Sequence, residues 1–322
     1  MSRVSAALCG ILGLLIVGSP AAQTSYPEKL IRVVVGFPAG GQSDTVARLL
    51  AQKLGEALGK PPLVENVTGV AGNIAADRVA KAAPDGYTLG LLASPQLVIN
   101  PSLYKLPYDS TRDFTPISQV VIAPTVLVVH NVVPAKNLAE LIRLAKARPG
   151  ELTFASSGSG TEGHLTGELL KSMAAVDIQH VPYKGVVAAI PDLLGGRVAM
   201  MFSPSVVVLP LARQGKLRAL AVTSLKRASA APELPTIAES GYPGFEVTGW
   251  NGLLGPAGTP PSVVRKLHHE TVNALALPDL RAKLADLGLE VVGSSPDEFA
   301  GVIRTQIPKW AKIIRESGIK PD

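Results

Sequence analysis

Short apolar runs alternate along this chain with longer segments whose apolar positions recur every three or four residues. The first run, 30–35, is β-branched (Val33, Val34, Val35). It ends in Gly36-Phe37-Pro38-Ala39-Gly40-Gly41-Gln42-Ser43-Asp44, after which Val46, Leu50, Leu54 and Leu58 repeat every four residues. That order reads as strand, loop and helix, with Ser43 or Asp44 as the helix cap and Gly59-Lys60-Pro61-Pro62 as its end. A strand at 63–66, a glycine loop at 69–73 that opens a helix reaching Ala83, and a strand at 87–92 ending in Ala93-Ser94-Pro95-Gln96 follow. The pattern resumes with a helix at 138–148 capped by Asn137, then a strand from Leu152 and the loop Ser156-Ser157-Gly158-Ser159-Gly160-Thr161-Glu162-Gly163-His164. Beyond it come a helix bearing Leu165, Leu169 and Met173, a strand at 178–181, a helix closed by Gly195-Gly196, and strands at 198–202 and 218–223 around a helical 209–214. Strands alternating with helices at this spacing predict βαβ units and an α/β fold, in which ligands gather beyond the carboxyl ends of the strands.

Two segments break the alternation. Residues 115–129 are apolar and β-branched over far more than the usual five or six residues of a strand, with Pro124 in the middle. This predicts two successive strands in different sheets, crossing near Ala123-Pro124. A second extended segment at 243–254 lets the chain return, before helices at 262–275, 279–287 and 296–315 and a strand at 289–292. The expected division is therefore a discontinuous first domain, 23–124 plus 248–322, and a second domain, 125–247.

The first 22 residues change the picture of the N-terminus. Arg3, the apolar run from Ala6 to Val17 and the small residues Gly18-Ser19-Pro20-Ala21-Ala22 form a secretory signal peptide, so the mature chain is expected to be soluble and periplasmic. The only cysteine of the 322 residues, Cys9, lies inside that run, which leaves a mature protein without disulfide, thiolate nucleophile or cysteine-bound metal. The net charge of +6 is spread along the chain with no basic block interleaved with aromatics, which argues against nucleic acid as a partner.

The two glycine loops carry the candidate chemistry. Each follows a strand and opens a helix, where unpaired N–H groups face outward and suit an anion. Gly158-Ser159-Gly160-Thr161-Glu162-Gly163 has the spacing of a dinucleotide fingerprint, but the acidic residue that should end the next strand is missing: Val181 and Pro182 stand there. The hydroxyls of Ser156, Ser157, Ser159 and Thr161 suit a carboxylate better. No G-x-S-x-G elbow is present, and Ser157 with His164 lacks the spacing of a hydrolytic pair. The histidines have no metal-ligand spacing. Asp44 is open between helix-dipole complement and ligand contact, and Trp250 between core and cleft wall.

Several stretches resemble one family. These are Phe37-Pro38-Ala39-Gly40-Gly41 with Asp44 and Ala47-Arg48, Val64-Glu65-Asn66 with Gly69 and Gly72, and Ala155-Ser156-Ser157-Gly158 with Gly160-Thr161 and His164-Leu165. His180-Val181-Pro182-Tyr183-Lys184-Gly185, Gly215-Lys216-Leu217-Arg218-Ala219-Leu220-Ala221-Val222-Thr223 and Gly255-Pro256-Ala257-Gly258-Thr259-Pro260 continue the likeness over the whole mature chain. The family is the Bug (TctC-like) receptors of tripartite tricarboxylate transporters. The resemblance implies a two-lobed periplasmic binding fold of type II character, monomeric, without catalysis, cofactor or metal. Such a protein captures a small carboxylate in the cleft and passes it to membrane transporter subunits or a sensor; the alternative is an exported hydrolase using the same cleft. Carried onto this chain, the implied ligand contacts are Phe37, Ala39, Gly40, Gly41, Asp44, Ser94, Gln96, Ser156, Ser157, Gly160, Thr161, His164 and Ser203, with Lys184 at the rim. Many members read Met-Phe-Asp where this chain has Met201-Phe202-Ser203. If that aspartate holds an amino group, Ser203 removes the countercharge and the expected ligand is an amine-free acid: a dicarboxylate, tricarboxylate or aromatic acid.

Overall fold

The computed structural model describes residues 26–317; the expected signal peptide and Cys9 lie outside them. Three strands, β1 (Arg32–Val35), β2 (Leu63–Asn66) and β3 (Thr88–Ala93), run parallel with β1 in the middle. β9 (Thr248–Pro256) joins them antiparallel to β3 and pairs on its other side with β4 (Phe114–His130), which also holds β10 (Glu290–Val291). The second sheet has β4 between β7 (Met200–Pro204) and β8 (Leu217–Val222), then β5 (Thr153–Ser156) and β6 (Gln179–Pro182), parallel to each other and to β7.

One strand therefore serves both sheets. Residues 114–124 of β4 pair with β9, and from Thr125 onward β4 pairs with β7 and β8. The two strands expected over 115–129 are one continuous strand of 17 residues. Pro124 has no ladder donor to give, and it falls where one set of partners ends, so it changes the pairing without breaking the strand. The return follows the same logic: the Val247 N–H donates to Thr223 in the second sheet at 3.0 Å, whereas Thr248 pairs with Pro124 in the first.

Helices cover the sheet faces: α1 (Gln42–Leu58), α2 (Asn73–Ala80), α3 (Leu138–Ala147), α4 (Glu162–Ala174), α5 (Val186–Leu194), α6 (Ser205–Arg213), α7 (Pro261–Ala276), α8 (Pro278–Asp286) and α9 (Pro296–Ser317). The period-two alternation of β1 sends Val33 and Val35 to one face, against Val46, Leu50 and Leu54 of α1 and Leu267 of α7. Val34 goes to the other face, in a cluster that runs from Trp250 and Phe299 to Leu127, Phe154 and Phe202, so the two sheets share part of one core. A third cluster packs Val126, Val128 and Met201 against Ala189 and Leu193 of α5 and Val208 of α6.

Local signals match as physics requires. Asn137 caps α3, its side-chain oxygen accepting from the Glu140 N–H at 2.9 Å. α1 begins at Gln42 with Gly41 as its N-cap, ahead of the expected Ser43 or Asp44. Asp44 lies within the first turn and reaches back to accept from the Gly40 N–H at 2.9 Å.

Candidate functional site

A cavity lies where the ends of β1, β3, β5 and β7 meet, between the two sheets. Its wall includes Phe37, Gly41, Gln42, Ser43, Ser94 and Trp250 from the first side and Ser157, Thr161, Glu162, Gly163, Val187 and Pro204 from the second. It encloses about 80 Å³, several times the 10–15 Å³ a single water requires. The sides already touch across it: Tyr104 donates to the Ser159 carbonyl at 2.8 Å, and a Cβ on Gly185 would stand 2.8 Å from Pro38.

Four helices begin at this cavity. Gly41 and Thr161, the N-caps of α1 and α4, Val186 at the start of α5, and Pro204, the N-cap of α6, all line it. The first N–H groups of a helix lack internal partners and carry the positive end of its dipole, so their convergence favours negative charge with no Lys, Arg or His among the described residues of the wall.

Hydrogen bonds fix the loops that present these termini. Asn251 on β9 accepts from Gln42 Nε2 and donates to Ser43 Oγ, both at 2.7 Å, which anchors the first turn of α1. Asp44 accepts from Gly40, Arg48 and Asn66. Burial alone would raise its carboxyl, but the hydrogen bonds to Arg48, Gly40 and Asn66 outweigh it and hold it below the usual carboxylate range. In the second loop, His164 Nδ1 accepts from the Gly160 N–H at 3.1 Å. Its ring stacks on His180 with centroids 4.0 Å apart, and His180 Nε2 hydrogen-bonds Ser156 Oγ at 2.7 Å.

Of the expected contacts, Phe37, Gly41, Ser94, Ser157 and Thr161 are on the wall. Ala39 and Gly40 form the exposed tip of their loop, and Asp44, Ser156, Gly160 and His164 shape the loops from behind. Gln96 turns inward: its side chain accepts from Ala93 and donates to Gly72, within the one-turn π-helix Pro95–Ile99 that follows β3. Ser203 is fully buried, its hydroxyl has no partner, and strand alternation gives the wall Phe202 and Pro204 instead. Ser203 thus does not decide the charge of the cavity.

Glu162 does, and the sequence reading passed over it. It is the first residue of α4, half-buried, with its carboxyl on the cavity wall at the crossing of the two sheets. Oε1 accepts from Thr125 Oγ1 at 2.6 Å, Oε2 from Ser94 Oγ at 3.3 Å, and the Gly249 N–H adds a further bond. Thr125 and Gly249 sit just beyond the two points where the chain changes sheets. A Cβ at 249 would collide with the carboxyl and push it aside, so glycine there lets the carboxyl lie against the strand. Burial pushes Glu162 up to about 7, against the opposing pull of Thr125, Ser94 and Gly249. No short-range pattern could reveal a partnership with strands so distant in sequence.

This architecture, two α/β sheets sharing hinge strands around a cavity at the strand ends, defines a two-lobed receptor for a small solute. The chain belongs to the tripartite tricarboxylate transporter receptor family (TctC), whose profile it matches over residues 46–319. It is 38% identical over 319 residues to protein BugT of Bordetella pertussis, covering 97% of this chain and 98% of that one. It is 40% identical over 313 residues to a protein encoded in the tcbD-tcbE intergenic region of a Pseudomonas species, covering 96% and 93%. Among solved structures, the periplasmic binding protein BugD superposes with a TM-score of 0.88 at 38% identity, over 92% of this chain and all of BugD. An R. palustris protein with adipate gives 0.89 at 37% identity, over 92% of this chain and all of its own. MatC from Rhodopseudomonas palustris with bound malate gives 0.85 at 34%, over 90% of this chain and all of MatC. The fold is thus that of the two-lobed periplasmic binding proteins, and the chain is a solute receptor and not an enzyme. The hydrolase alternative has no support: Ser157 is on the wall, but its candidate base His164 is not, its Nδ1 accepting from the Gly160 N–H and its ring stacking on His180.

Proposed function

We propose that this protein captures a small carboxylate, a dicarboxylate, tricarboxylate or aromatic acid, in the periplasm and presents it to the membrane subunits of a tripartite transporter or to a sensor. The observation that carries this reading is the convergence of four helix N-termini on a cavity with no basic side chain among its described residues: backbone N–H groups recognise the carboxylate, and wall shape selects the rest of the molecule. Structural relatives solved with adipate and malate support it. Among the described residues, no helix is long and apolar enough to cross a membrane. The expected division into lobes, 23–124 with 248–322 and 125–247, is supported over the described residues by the change of pairing partner at Pro124/Thr125 and at Val247/Thr248. Ligand held by Gly41, Ser43 and Ser94 on one side and Ser157 and Thr161 on the other contacts both lobes only when they are closed, and so shifts the population toward closure. Receptor and ligand work as a monomeric complex.

A thermal-shift panel of carboxylates tests this. A matching acid at a hundred times its dissociation constant raises stability by about 2.7 kcal/mol, while neutral amides of the same acids leave the transition unmoved. A panel in which amides stabilise as well as acids would refute anion recognition.

A further inference from the structure

We propose that Glu162 couples anion capture to a proton: the cleft closes over an acid with Glu162 neutral, so above neutral pH each anion bound draws up to one proton from solvent onto its carboxyl. This deepens the carboxylate reading and rests on it.

Three observations carry the inference. First, among the described residues Glu162 is the one ionisable side chain on the cavity wall, and nothing basic accompanies it there. An anionic ligand and an ionised Glu162 would be two negative charges in one desolvated space without a countercharge, a pair that cannot both stay ionised. Second, Glu162 occupies the first turn of α4, the helix start the ligand would use. When ionised it neutralises that N-terminus itself, and when neutral it releases it to the ligand. Third, both its oxygens are already engaged by the hinge, through Thr125, Ser94 and Gly249. That leaves little acceptor capacity for a ligand ammonium, whereas a neutral carboxyl brings one O–H of its own.

Among the described residues, no charged side chain contributes to the shift of Glu162, which comes from burial set against the bonds to Thr125, Ser94 and Gly249. β3, β5, β7 and β9 contain no ionisable residue, and the only one on β4 is His130, at the far end, paired with Leu217. On α4, His164 is bound to Gly160 and Lys171 to Glu168. Asp44 of α1 is paired with Arg48, and Asp192 of α5 with Arg197. Burial pushes Glu162 up to about 7, so its protonation near neutral pH costs little.

Calorimetric titration with adipate, malate, citrate and benzoate tests the proposal, from pH 6 to 9 and in phosphate and Tris, whose ionisation enthalpies differ. For an acid that binds, uptake of about 0.9 proton per ligand is expected at pH 8, with the dissociation constant rising toward tenfold per pH unit above 7. Glu162→Gln should abolish the buffer dependence and flatten the pH profile. Affinity that is flat across this range without proton uptake overturns the proposal and leaves the carboxylate reading standing. Binding that tightens with pH and releases a proton overturns it too. Failure of every acid at every pH overturns the carboxylate reading and, with it, this inference.

Discussion

Replacing Glu162 by glutamine in the ligand-free protein isolates the energetic consequence of burying that carboxyl. Its native value of about 7 stands against a reference of 4.5. Because the native value is raised, the folded state binds the proton more tightly than the unfolded chain. Stability from this group is complete below about pH 4.5 and is lost as pH climbs through 7. At 1.36 kcal/mol per unit, the loss across that window is about 3 kcal/mol. Glutamine keeps the shape and never ionises, so the variant should gain on the wild type by about this much between pH 5 and 9. At about 2 °C per kcal/mol for a chain of this length, that is a relative rise of roughly 6 °C in Tm. The assay is thermal unfolding of both proteins in matched buffers at unit pH steps; groups common to both cancel in the difference. A difference that stays constant with pH, or that narrows in favour of wild type above pH 7, would refute the burial argument.

Asp44→Ala removes the acceptor that fastens Gly40, Arg48 and Asn66, and should cost about 1–3 kcal/mol by urea unfolding at pH 7. Since the Asp44 carboxyl is held low in the fold, its contribution is present above the unfolded carboxylate value and fades as pH falls below it, so the gap between variant and wild type should close in acid. Gly185→Ala places a methyl against Pro38 at a φ of 112°. It should weaken ligand binding at least tenfold and keep the scattering envelope open at ligand levels that close the wild type. Ser203→Ala deletes a buried hydroxyl without a partner and should leave Tm equal or higher; a drop of several degrees would mean that the hydroxyl is bonded.

The strand and helix order was legible because both periods are local: Val33 and Val35 against Val34 in β1, and Val46, Leu50 and Leu54 on α1. The hinge was legible from Pro124 and from the excess length of its segment, though not that one strand could serve both sheets, since a change of pairing partner leaves no mark on the residues themselves. The glycine loops identified the place of the site, and Phe37, Gly41, Ser94, Ser157 and Thr161 are on its wall. What sequence spacing could not give was orientation. Ser203 and Phe202 are neighbours, yet the strand shows only one of them to the cavity. Gln96 looks like a loop-end ligand and is spent on Ala93 and Gly72. Glu162 reads as an ordinary first-turn acid until β4 and β9 bring Thr125 and Gly249 to it.

Native mass spectrometry of freshly purified protein, sprayed without added ligand and again after exchange against adipate and malate, tests the central claim most directly. Capture of a carboxylate between two lobes predicts a one-to-one adduct with the mass of a small organic acid, released on denaturation and displaced by a competing acid. A protein that carries no acid, takes up none from solution, or returns the added compounds chemically altered would contradict it.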